Sequence, residues 1–256
     1  MLADPYDALL LDLDGVLYRW PDPIPGAPEA VERLRAAGKR IAFVTNNSSR
    51  TPEQVAERLI SIGIRAEPLE VVTSALATAD LLAERGTGSA FVIGEEGLRT
   101  ALQEAGIELA DGSDGSVDAV VVGFDRTADY AKLKDGAVHV ERGASLVASN
   151  PDPSFPAPGG EAWPGAGALL AVIETTTGIE GEVVGKPEAP LLRRALERAG
   201  GGRPLVVGDR LDTDIAGAVR LGWDSALVLT GSTCREGLDD PPWKPTYVVD
   251  SIADLA

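Results

Sequence analysis

The chain has 256 residues, 44% hydrophobic and 25% charged, enough for one large core or two modest ones. Forty Asp and Glu against 23 Lys and Arg leave a formal charge of −17, a field that repels nucleic acid and anionic membranes, so neither is expected as a partner. An anionic small molecule bound to so acidic a chain requires a local cation, which points to a metal ion.

No stretch approaches the ~20 apolar residues of a membrane-spanning helix, and the first residues lack the basic-then-apolar pattern of a secretory signal. Cys234 is the sole cysteine, so no internal disulfide forms and a reducing, cytoplasmic setting is expected.

Residues 8–13 are an apolar run that reads as a short buried strand, broken by Gly15. Asp12 and Asp14 lie two apart at its end, so both side chains point to one side. In open parallel sheets that end of a strand is where ligands bind. A solvated Asp-Gly turn would explain the pair equally well, so the argument needs partners elsewhere.

Proline and aromatic residues make 16–27 a stiff excursion rather than a helix. A helix is expected over 28–38, with Val31 and Leu34 inward and Gly38 as its stop. Residues 41–45 form the next strand, which ends in Thr45, Asn46, Asn47, Ser48 and Ser49. Capping of the next helix, which carries Pro52, Val55, Leu59 and Ile62, occupies one of these hydroxyls and leaves the others without a job. A third strand near 71–74 leads into a helix, and Gly86 to Ser89 is a break.

From Ser89 to about Gly178 a second βα pattern runs: strand 90–93, helix 95–105, strand 118–123, helix 129–142 and strand 145–149. His139, on the last of these helices, reads as structural or solvent-facing rather than as a ligand. The Pro- and Gly-rich segment 150–167 is too long to be kept without a use. Phe155 and Trp163 suggest packing, Gly165 and Gly167 could cradle an anion, and 150–163 is expected to form part of a lid.

After Gly178 the first pattern resumes. Lys186, one of only five lysines, sits between Gly185 and Pro187 at a turn into the helix 189–199, as a positioned charge would. Strand 204–208 ends in Asp209, and Arg210 to Asp214 opens another helix, where Asp212 or Thr213 could serve as the cap. Strands 226–229 and 246–249 complete the sheet.

The strand ends therefore carry Asp12 and Asp14, Thr45 and Asn46, Lys186, and Asp209 with Asp214. Asp12 and Asp209 with water oxygens suit Mg²⁺, a hard ion held by few carboxylates. Asp12 would attack phosphorus to form an aspartyl-phosphate, Asp14 would act as general acid and base, and Lys186 would counter developing charge.

These residues resemble the haloacid dehalogenase-like hydrolases. The likeness is to the phosphatases with a large α/β cap, the group that includes the nucleotide phosphatase of the amino-sugar operon, pyridoxal phosphatase and phosphoglycolate phosphatase. The resemblance rests on Asp12-Leu13-Asp14-Gly15, Thr45-Asn46-Asn47-Ser48, Gly185-Lys186-Pro187, Gly208-Asp209 with Asp214, and in the cap Asn150-Pro151-Asp152 and Pro164-Gly165-Ala166-Gly167. It implies an α/β fold: a Rossmann-like core with a parallel sheet, over 1–79 and 179–256, and an inserted α/β cap domain over 80–178. It implies Asp12 as nucleophile, Asp14 as acid/base, and Mg²⁺ held by Asp12, the Asp14 carbonyl and Asp209. Phosphate contacts would come from Gly15, Thr45, Asn46 and Lys186, with Asp214 as an orienting group and Asn150 and Asp152 as candidate substrate contacts in the cap. The dehalogenases of the superfamily lack the second aspartate of the first motif, so Asp14 argues for phosphate chemistry.

The expected activity is hydrolysis of a small phosphate ester: glycerol 3-phosphate, phosphoglycolate, pyridoxal phosphate, a nucleotide or a sugar phosphate, with 4-nitrophenyl phosphate as an artificial substrate. A phosphomutase or a non-catalytic binding protein are the alternatives, and a homodimer through the cap is implied by resemblance alone.

Overall fold

The computed structural model describes residues 1–19, 21–156, 161–235, 238 and 241–256. The chain opens with β1 (Ala8–Asp12), β2 (Tyr18–Arg19), β3 (Asp22–Pro23), α1 (Ala27–Ala36), β4 (Arg40–Thr45), α2 (Pro52–Ser61), β5 (Val71–Thr73) and α3 (Ser74–Glu84). The middle comprises β6 (Ser89–Ile93), α4 (Glu96–Glu104), β7 (Glu108–Ala110), β8 (Ala119–Val122), α5 (Tyr130–Glu141), β9 (Ser145–Ala148), β10 (Ser154–Pro156), β11 (Ala162–Pro164) and α6 (Ala166–Thr177). The chain closes with β12 (Glu182–Val183), α7 (Ala189–Arg198), β13 (Pro204–Gly208), α8 (Ala216–Leu221), β14 (Asp224–Val228) and β15 (Tyr247–Val249). No helix among the described residues is long and apolar enough to cross a membrane.

Two compact units result. The first comprises Met1–Thr45, Pro52–Val72 and Lys186–Ala256. Its sheet has the order β15-β14-β13-β1-β4-β5, and β1 runs parallel to both β13 and β4. Ala8 to Leu11 are buried on both faces, as a central parallel strand requires. Leu9, Leu11 and Phe43 pack with Val31 and Leu34 of α1 and Val55 and Leu59 of α2. Register decides the rest: Leu11 lies beside Val207 and Asp12 beside Val44. The polar residues that follow β13 and end β4 therefore stand level with the end of β1. The strand order reverses at β1, a position where open α/β sheets bind ligands.

The second unit comprises Asn46–Thr51 and Thr73–Gly185. Its sheet has the order β12-β9-β8-β6-β7, with every neighbouring pair parallel. Phe91, Ile93, Val120, Val122, Val140, Leu146, Leu170 and Ile173 form its core. His139 is structural: it is buried, with Nε2 2.9 Å from the Gly112 carbonyl and its ring against Phe91.

These divisions differ from the expected breaks near 79 and 178, for physical reasons. α3 is one continuous helix capped by the Thr73 hydroxyl, which accepts from Leu76 N, so it cannot be split at 79. β12 pairs with Val147 and Ala148 of β9, which draws 179–185 into the second sheet rather than the first. Residues 46–51 join the second unit through bonds the sequence did not reveal. The Ser48 hydroxyl accepts from Phe124 N and from Ser149 Oγ, and the Ser49 carbonyl accepts from Gly97 N.

The excursion after β1 is not helical, as expected: turns alternate with β2 and β3, which pair antiparallel. In the segment 150–167, β10 and β11 form a hairpin with Phe155 packed on Phe124. Residues 157–160 of the expected lid lie outside the described residues. The expected anion cradle at Gly165 and Gly167 is not formed: their N–H groups donate to the Pro153 and Asp152 carbonyls, at 3.1 and 2.9 Å.

Asp125, which follows β8, has a fully buried side chain that accepts from Lys132 Nζ at 2.8 Å and from Thr127 N and Oγ1. Burial alone would raise its pKa, but these donors hold it below the usual carboxylate range. A depressed folded-state pKa adds stability above the unfolded value of about 3.9 and loses it as pH falls through the folded value. Asp125→Asn is therefore expected to cost about 1–3 kcal/mol at pH 7. The gap to wild type should narrow below pH 4, as read from urea midpoints between pH 7 and pH 3.

Candidate active site

Asp12 is the last residue of β1, and Asp209 is the first after β13. Asp214 lies in the π-helical turn Leu211–Ile215 that precedes α8. Lys186 enters ahead of α7, and its ammonium bridges two of these acids: Nζ is 2.5 Å from Asp12 Oδ1 and 2.6 Å from Asp214 Oδ1. One carboxylate oxygen from each of Asp12, Asp209 and Asp214 lies within 4.8 Å of the others. Lys186, Asp209 and Asp214 are buried, whereas the Asp12 side chain keeps 13% exposure, so Asp12 is the member of the cluster that an incoming molecule can reach.

Small residues make room for this crowding. A Cβ on Gly208 would overlap the Asp214 carboxyl, and one on Gly231 would overlap Asp209 Oδ2. Asp209 Oδ2 also accepts from Ser232 N at 2.5 Å, and Asp214 Oδ2 from Arg210 N at 3.2 Å. Gly15 was expected to contact phosphate, but its N–H donates to the Tyr18 carbonyl at 2.8 Å. Its use is spatial: with φ +80° a side chain is disfavoured, and a Cβ would lie 2.7 Å from Asp209 Cγ. Thr230 Oγ1 fixes that turn by donating to the Gly15 carbonyl at 2.6 Å.

Thr230, Gly231 and Ser232 were missed from sequence. They follow β14, so a polar cluster after an apolar strand, the signal that revealed Thr45, was present there too.

The electrostatics follow from burial. Asp12 is pushed well above the usual carboxylate range by burial; Lys186 pulls it down in part, while Asp214 and Asp209 push it further up. Asp209 is raised first by burial and then by Asp214, against the Ser232 donor. Burial opposes the charge on Lys186, yet Asp12 and Asp214 hold its pKa above the ordinary lysine value. One ammonium among three acids leaves a negative surplus. The donor set is all hard oxygen, which fits a divalent cation such as Mg²⁺.

Asp14 is held in the turn that follows Asp12, exposed, with Tyr18 OH donating to its Oδ2 at 3.4 Å. The Arg58 guanidinium lies 5.1 Å from the Tyr18 ring centroid. The protein packed around Asp14 raises its carboxyl, and the Arg58 charge opposes that shift. Thr45, buried, ends β4 one residue beyond the partner of Asp12. The other expected residues, Asn46, Asn150 and Asp152, lie together in the second unit: Asn46 Nδ2 donates to Asp152 Oδ2 at 3.1 Å, and Asn150 Nδ2 to the Asn46 carbonyl at 2.7 Å.

Comparison with known proteins identifies the family. Residues 9–108 match a haloacid dehalogenase-like hydrolase model, and residues 183–255 match a second, HAD-hydrolase-like one. An acid sugar phosphatase from Staphylococcus aureus (strain USA300) is 42% identical over 257 residues, covering 98% of each chain. The chain belongs to the haloacid dehalogenase-like hydrolases. Among solved members of the family, a double mutant thermostable NPPase from Geobacillus stearothermophilus superposes with a TM-score of 0.89, at 39% identity over 97% of both chains. A glycerol phosphate phosphatase from Mycobacterium tuberculosis in complex with magnesium superposes at 0.93, with 36% identity over 99% of this chain and 77% of that one. With relatives of this kind along its whole length, the chain is a phosphoric monoester hydrolase.

Gly231 offers a direct test of the cluster. Gly231→Ala should displace the Asp209 carboxylate and weaken divalent-cation binding by about 10- to 100-fold, as measured by isothermal titration calorimetry.

Proposed function

We propose that this phosphatase is Mg²⁺-dependent, acts on a small sugar or glycerol phosphate, and works through a phosphorylated Asp12. The observation that carries the reading is the cluster around Lys186, in which Asp12 alone combines partial exposure with contact to the lysine. Asp12 and Asp209, with the Asp14 main-chain carbonyl, would hold Mg²⁺, which when bound supplies positive charge against the anionic ester and the surrounding acids.

Asp12 attacks phosphorus in line with the leaving oxygen and becomes an aspartyl-phosphate. Lys186 fixes the orientation of the attacking carboxylate and offsets charge on the transferring group. Asp14, whose raised pKa suits a proton donor, protonates the leaving oxygen. It then takes a proton from the water that hydrolyses the intermediate and frees phosphate. Thr45 and Asn46 supply neutral donors to the phosphoryl oxygens, and Asp214 keeps Lys186 in place.

The substrate class rests on the relatives, named as an acid sugar phosphatase, a glycerol phosphate phosphatase and a p-nitrophenyl phosphatase. A phosphate-release screen over sugar phosphates, glycerol 3-phosphate, phosphoglycolate, pyridoxal phosphate and nucleotides should give its highest kcat/KM for a sugar or glycerol phosphate. Accumulation of an isomeric phosphate ester in place of free phosphate would make the chain a mutase. Asp12→Asn should lower turnover by about three orders of magnitude or more. Chelation with EDTA should abolish activity, and added Mg²⁺ should restore it.

A further inference from the structure

We infer that Asp152 is a positioning residue: its carboxylate fixes the Asn46 amide with its nitrogen end toward Asp152, one residue beyond the end of β4. The inference rests on the reading of Asn46 as a phosphate donor, and it replaces the expectation that Asp152 touches substrate itself.

Every contact in the argument lies within the second unit. Asn46 Nδ2 donates to Asp152 Oδ2 at 3.1 Å. An ionised carboxylate can only accept, so it selects the nitrogen end of the amide and rejects the oxygen end. The backbone of Asn46 is pinned as well, because its carbonyl accepts from Ser74 Oγ at 2.6 Å and from Asn150 Nδ2 at 2.7 Å. Gly185 provides clearance for the other end of the amide, since a Cβ there would lie 2.7 Å from Asn46 Oδ1.

Asp152 is itself held. Asn150, buried, uses both ends of its amide: Oδ1 accepts from Asp152 N at 3.1 Å while Nδ2 serves Asn46. One side chain thus clamps both partners of the Asn46–Asp152 bond. The backbone of 151–153 lies directly on the start of α6, where Gly167 N donates to the Asp152 carbonyl and Gly165 N to the Pro153 carbonyl. A Cβ on Gly165 would overlap the Asp152 carbonyl, and one on Gly167 would overlap that of Pro151. The glycine pair is therefore a seat for the loop that carries Asp152.

The consequence reaches catalysis through the chain. Asn46 follows Thr45 directly, so their Cα atoms are about 3.8 Å apart however the two units are disposed. An amide fixed by Asp152 thus stands next to the residue that ends β4.

The test uses the Mg²⁺-loaded full chain with 4-nitrophenyl phosphate, glycerol 3-phosphate and a hexose phosphate, with melting temperatures measured alongside. Asp152→Ala should lower kcat/KM about tenfold or more, by a similar factor on all three esters. Asp152→Asn, which retains an acceptor oxygen, should recover most of that loss. In an Asn46→Ala background, Asp152→Ala should add nothing further, the signature of a single coupled unit. Gly167→Ala should reproduce the Asp152→Ala phenotype.

Losses that depend on the leaving group, or that add fully to those of Asn46→Ala, would overturn the inference and make Asp152 a direct substrate contact. Asn46→Ala with unchanged kcat/KM would instead remove the phosphate-donor reading beneath it. The two failures are therefore distinguishable.

Discussion

The ammonium of Lys186, buried between Asp12 and Asp214 at 2.5 and 2.6 Å, is the contact that orders the rest of the first unit. A lysine without water is tolerated only when its charge is met by well-placed acceptors. Here the acceptors come from the end of β1 and from the π-helical turn after β13, elements brought together by the parallel register of the central strands. Gly208, Gly231 and Gly15 are dictated by the same crowding, because carboxylates packed this tightly leave no volume for a neighbouring side chain. The site is thus over-supplied with acid by construction. That excess is destabilising for the empty protein and becomes an asset once a divalent cation is bound.

Taken alone, the overall charge of −17 argues against an anionic substrate. Distance decides otherwise. At physiological ionic strength, exposed charges are screened over about 8 Å, so most of the acidic surface contributes little at the phosphorus. Lys186, in direct contact with its partners in a buried setting, is screened far less. Local arrangement therefore outweighs the global sum, and the acidic surface retains its effect where it extends outward, in repelling polyanions.

Much of this was legible because apolar strands that end abruptly in polar residues leave a strong mark. Asp12, Thr45 and Asp209 all follow that pattern, and Lys186 stood out by its rigid flanks and the scarcity of lysine. Asn46, Asn150 and Asp152 were singled out as candidates, but their mutual contact was not legible. What escaped depends on partners distant in sequence. Ser48 is fixed by Phe124 and Ser149, 76 and 101 positions away, so no local pattern could assign 46–51 to the second unit. The sheet that Glu182–Val183 joins was not legible, because two residues carry too little pattern to select between two parallel edges. Gly165 and Gly167 illustrate the reverse error: a Gly-x-Gly before a helix suggests an anion site, whereas its N–H groups are taken by neighbouring carbonyls.

The chain crosses between units next to residues of the candidate site. One crossing falls between Thr45 and Asn46, and another between Gly185 and Lys186. Gly185 is bound to the second unit by its N–H, which donates to the Ser149 carbonyl at 2.9 Å, and a Cβ there would lie 2.5 Å from that same oxygen. The next residue sends its ammonium to Asp12 and Asp214 of the first unit. A planar peptide bond joins the two, and each side of it is held by contacts within its own unit. The same holds for Asn46, clamped by Asn150 and Ser74 on one side and joined to the end of β4 on the other. Each residue at these crossings is thus anchored by contacts within its own unit.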